Sequence, residues 1–138
     1  MRALSEVEAL LALDDGAAAP RARAASLLAL CEEVLAHWVS ARGGVPTDAR
    51  REGFRLLALH RQGCRGEPSF NACRETCREI AYHYNLVSAE PDHPQAVRQV
   101  RMMGMLAMHL YLFVTGKLEV AALGDFCCSS RPLRAQTC

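Results

Sequence analysis

The sequence has little lysine, few aromatic residues and no excess of either charge. Lys117 stands alone beside fifteen arginines, so sixteen basic side chains meet fifteen acidic ones and the formal charge is +1. That balance excludes the strongly basic surface of a dedicated nucleic-acid binder. Nine glycines and six prolines are too few for a collagen repeat, and a 51% hydrophobic content is too high for intrinsic disorder. Long apolar runs are missing too. Met102 to Val114 is apolar apart from His109, but its thirteen residues fall short of the about twenty that a helix needs to cross a bilayer. No membrane span is expected.

Strand-like alternation, internal repeats and low-complexity tracts are also absent. Among catalytic signatures there is no G-x-G-x-x-G, G-x-S-x-G or H-E-x-x-H, and Thr115-Gly116-Lys117 has no glycine-rich strand turn before it to make a P-loop. No pair of carboxylates stands out as acid and base. An enzyme therefore has no legible mechanism here. The opening Met1-Arg2-Ala3-Leu4-Ser5-Glu6 lacks the n-region and apolar h-region of an export signal. The expected location is the cytoplasm, and the arginine and alanine bias points to a GC-rich bacterial genome.

What is present is helical periodicity. Ser5 and Glu8 spell an S-x-x-E capping box before Leu10, Leu11 and Leu13, with Gly16 as a stop. Pro20 suits the first position of a long helix in which Leu27, Cys31, Val34 and Trp38 recur at helical spacing until Gly43-Gly44. Thr47 and Asp48 read as the turn and cap of a third helix ending near Gly63 or Gly66. Ser69 reads as the cap of a fourth, with Cys73, Cys77, Ile80, Ala81 and Tyr84 on one inward face. Pro94 opens a fifth, expected to run to Thr115, buried between the others and halted by Gly116, with Leu118 to Leu123 as a short sixth.

A chain of 138 residues buries roughly two thirds of its unfolded surface in one core and needs no disulfides. The expected fold is all-α: a single-domain bundle of about five helices plus a short C-terminal helix over residues 1–126, and a Cys/Arg tail over 127–138.

The seven cysteines are the unusual feature. His60-x3-Cys64 and Cys73-x3-Cys77 place two pairs of soft ligands at i,i+4 on consecutive helices, about 5 to 6 Å apart at Cβ. A zinc ion or an iron–sulfur cluster joining the pairs would use His60, Cys64, Cys73 and Cys77, with Cys127 and Cys128 of the tail able to complete the site. Reversible thiol chemistry is the other functional account, although a disulfide closed within Cys73 and Cys77 is disfavoured by regular helix geometry. The plainer account is packing: free cysteine is a small apolar residue, Cys73 and Cys77 continue the stripe of Ile80 and Tyr84, and His60 is simply on the surface.

His109 reads as a core histidine more readily than as a ligand opposed by His37 or His83, and Met102, Met103, Met105 and Met108 as core filling more readily than as a soft-metal site. Residues 42–78 carry eight arginines against four acids, most simply a solvated helical face, so nucleic acid is not an expected partner. The reading that follows is a cytosolic helical binding or regulatory module that self-associates or docks a protein partner, tuned by its Cys/His group through metal or thiol state. The alternatives are a structural adaptor with inert buried cysteines and a small thiol- or metal-dependent enzyme.

Overall fold

The computed structural model describes residues 1–13 and 18–121. Among them the chain is all-α, with no strand: α1 (Leu4–Ala12), α2 (Pro20–Ala41), α3 (Arg55–Gly63), a 3₁₀ segment (Pro68–Cys73), α4 (Arg74–Ala89) and α5 (Ala96–Val120). The apolar spacing explains the packing. Leu27, Val34, Leu35 and Trp38 of α2 meet Ile80 and Val87 of α4 and Met103, Ala107, Leu110 and Val114 of α5 in one core. Each such side chain, fully buried, contributes about 1.5–3 kcal/mol from removal of apolar surface from water. α5 lies along α2 and α4, α3 packs against α2 and α4, and α1 crosses α2 and α5.

By length and composition alone α2 also passes as a membrane span, but half of its most apolar window is buried inside the bundle. That burial is what a core helix requires.

Several boundaries differ from the sequence reading. The Ser5–Glu8 capping box does not form, because α1 begins at Leu4 and places Ser5 inside its first turn. Glu8 instead accepts a hydrogen bond from the Tyr111 hydroxyl of α5 at 2.8 Å. Ser69 does not cap α4: Pro68 opens a 3₁₀ turn there, and the Ser69 hydroxyl donates to Glu67. Asp48 does not cap α3, which starts after Phe54. Gly116 does not stop α5, and no separate sixth helix begins at Leu118. A helical glycine costs about 1 kcal/mol relative to alanine, and burial of Val114 and Leu118 on either side outweighs it. Gly16, most of the expected sixth helix beyond α5, and the tail lie outside the described residues.

The largest difference is in α5. Expected to be buried all round, it exposes Met102, Met105, His109 and Leu112. α1, α2 and α4 cover one side of it, while α3 packs on the far side of α2 and does not reach it. The four methionines therefore splay: Met103 is buried, Met108 half-buried, Met102 and Met105 exposed.

Candidate functional site

The Cys/His group sits where α3 ends and α4 begins, and an aromatic stack fixes that junction. Trp38 of α2 and Phe70 of the 3₁₀ segment lie face to face, centroids 4.7 Å apart at 4°. Trp38 Nε1 donates to the Gly63 carbonyl at 2.9 Å. Arg42 spans the same end of α3, its guanidinium donating to the Arg65 carbonyl at 2.9 Å and lying 5.2 Å from the Trp38 ring centre. A cation on the final carbonyls of a helix opposes the negative end of its dipole. Gln62 ties the preceding loop to α3, accepting from Thr47 N at 2.8 Å and donating to the Val45 carbonyl at 2.7 Å.

His60 is buried, contrary to its reading as a surface residue, with only 6% of its surface exposed. Its ring stacks on Phe70 at 5.9 Å, and its Nε2 lies 3.6 Å from Cys64 Sγ. The i,i+4 pairing read from the sequence is therefore made. Cys73 and Cys77 are both buried, as their helical face requires. Cys73 is the last residue of the 3₁₀ segment, at φ −94° and ψ 10°, so its register to Cys77 is not that of a regular α-helix. Its thiol donates to the Phe70 carbonyl at 3.3 Å.

The two pairs influence each other electrostatically. Hydrogen bonding from Cys77, then hydrogen bonding and positive charge from His60, draw the Cys73 thiol down to about 6, against the opposing effect of burial. Cys77 is held well above its usual range, first by its bond to Cys73 and then by burial. The pair gives up one proton readily and keeps the other. Cys64 is raised by burial and by the negative charge of Cys73. Cys31 of α2, which the sequence reading left in the core, also acts on Cys77; burial, then Glu32, pushes its own thiol far up. Cys64 is the half-buried member, and over it and His60 opens a cleft of about 180 Å³ rimmed by Arg51, Arg61, Arg74 and Arg78. The sequence showed that arginine run only as a net charge.

Chemically the group offers one thiol drawn toward its thiolate, one accessible thiol and an imidazole that contacts the accessible one and favours ionisation of the other. All four described cysteines are free. Among the described residues no three His, Cys, Asp or Glu side chains are arranged to hold a metal ion, so the zinc and iron–sulfur expectations find no support there. Cys127 and Cys128 lie outside the described residues. Elsewhere, His109 is exposed rather than a core histidine. His37 and His83 engage the Arg2 and Glu79 carbonyls at 2.6 and 2.7 Å. Gly63 read from the sequence only as a helix end, and nothing in the sequence singled out Phe70, yet the two wall the site.

Compared with known proteins, the chain matches no family model, no curated protein and no solved structure.

Proposed function

We propose that the protein is a cytosolic helical regulatory module that self-associates through α5 and whose association follows thiol chemistry at the α3–α4 junction. The observation that carries this reading is the buried His60 ring, whose Nε2 lies 3.6 Å from Cys64 Sγ and which also lowers the Cys73 thiol. Cys64 is open to a reagent, and Cys73 supplies the resolving thiolate. Oxidation transfers two electrons from the Cys64 thiol and the Cys73 thiolate to an incoming disulfide, which leaves as one thiol and one thiolate while a Cys64–Cys73 disulfide forms.

Two features support a link to binding. Closing that bond draws Cys73 away from the Phe70 carbonyl, and the Phe70 ring rests 5.7 Å from Phe113 of α5. On the side of α5 left uncovered, Val97, Met102, Met105, Leu112 and Val120 are exposed. Four of these, Val97, Met105, Leu112 and Val120, are spaced by eight, seven and eight residues, so an antiparallel second copy sets Val97 against Val120 and Met105 against Leu112, with Met102 facing Thr115. An isologous dimer needs that self-complementarity, and a 25-residue helix offers about 37 Å of it.

Sedimentation equilibrium on reduced and mildly oxidised protein tests the proposal. The dimer constant should differ between the two states, the difference should vanish in Cys73→Ser, and Met105→Glu should be monomeric in both. Identical association in all samples rejects the reading.

A further inference from the structure

We infer that the cleft over Cys64 selects small disulfides bearing a carboxylate, so that the oxidant of this site is an anionic low-molecular-weight disulfide. This rests on the thiol reading above and adds the chemical class of the co-reactant.

The cleft is lined by Arg51, Arg61, Arg74 and Arg78, with Cys64 and His60 on its floor. Two of the guanidiniums have acidic partners: Arg78 binds Glu52 at 2.9 Å, and Arg74 meets Glu75 at 3.3 Å. Among the described residues Arg61 forms no ion pair and no side-chain hydrogen bond, and Arg51 has only the more distant pull of the Glu52 carboxylate that Arg78 already binds. Four guanidiniums against the two carboxylates of Glu52 and Glu75 leave the rim positive beside a thiol, and the guanidinium fork matches a carboxylate. A volume of about 180 Å³ holds roughly six waters, or one short thiol arm ending in a carboxylate, with the other arm in solvent.

The rim is held in place at a backbone cost. Arg51 and Phe54 exchange hydrogen bonds at 3.0 and 2.9 Å around a two-residue turn, in which Glu52 and Gly53 take φ of 53° and 84°. Gly53 adopts that region freely, but Glu52 is the one non-glycine residue with positive φ among the described residues, a conformation that L side chains disfavour. The turn aims Arg51 at the cleft and the Glu52 carboxylate at Arg78 across 26 residues.

The step balances without a further reagent. Cys64 Sγ attacks one sulfur of R–S–S–R, its proton goes to the departing sulfur, and the products are Cys64–S–S–R and R–SH. Cys73 then displaces the second arm.

The test compares dithiodiglycolate with its neutral bis-amide, each rate divided by that of the same reagent with a small neutral thiol, and maps the adduct by mass spectrometry in Cys73→Ser, where the mixed disulfide accumulates. The carboxylate reagent should modify Cys64 about tenfold faster than the amide. That preference should collapse in Arg51→Gln with Arg61→Gln, and at high salt, while the amide rate holds. Equal rates with the adduct on Cys64 overturn the inference and leave the thiol reading standing. No adduct on Cys64 from either reagent overturns both.

Discussion

Trp38 and Gly63 are fitted to each other twice over: the indole nitrogen donates to the Gly63 carbonyl at 2.9 Å, and a methyl group on Gly63 would stand 2.9 Å from Trp38 Cδ1 and 2.8 Å from Phe70 Cε2. The stack leaves no room for a side chain on α3 there. Gly63→Ala should therefore destabilise the fold by about 1–3 kcal/mol, the usual range for overpacking, despite the better helix propensity of alanine. Urea denaturation measures it; an unchanged or raised midpoint would show that the stack yields.

Stability should depend on pH through the thiols. Cys73 titrates at about 6 folded, against 9.0 for an unperturbed thiol. An acid with a depressed folded value contributes stability that is complete above the unfolded value and lost as pH falls through the folded one. Stability should rise from about pH 6 to 9. Above that it should fall, because Cys31, Cys64 and Cys77 are all raised and ionise more readily unfolded. Denaturant midpoints across this range should show the rise in the parent protein and not in Cys73→Ser.

Reagent access should follow burial and ionisation together. Under native conditions iodoacetamide should label Cys64 before the buried Cys31 and Cys77, which should react only as the protein unfolds. Peptide mapping over a time course reads the order; early labelling of Cys31 would contradict the packing of α2.

Tyr111 anchors α1 through Glu8, and burial, then Glu8, raises its hydroxyl to about 12. Tyr111→Phe should cost about 1 kcal/mol and loosen α1 in particular. Hydrogen exchange should quicken at residues 4–12 more than in α4.

The helical class, the inward faces of Cys73 and Cys77 and the His60–Cys64 pair were legible because helical periodicity is local. What failed was set by neighbours. Glu8 abandoned its cap for a phenol 103 residues away, and α5 ran through Gly116 because flanking side chains are buried there. The outer face of α5 looked like core because apolar composition does not say how many helices surround a segment. His60 could not be placed inside before Phe70 and Trp38 were seen to wall it in, and the arginine cleft joins a turn, α3 and α4 that sequence spacing does not relate.

The central claim, that His60 and the thiols of α3 and α4 act as one group, is tested most directly by following thiolate absorbance in the ultraviolet as native protein is titrated. One thiolate should appear near pH 6, disappear in Cys73→Ser and move upward in His60→Gln. A native protein whose first thiolate forms only near 9.0, the value of an unperturbed thiol, with His60→Gln titrating identically, would contradict it.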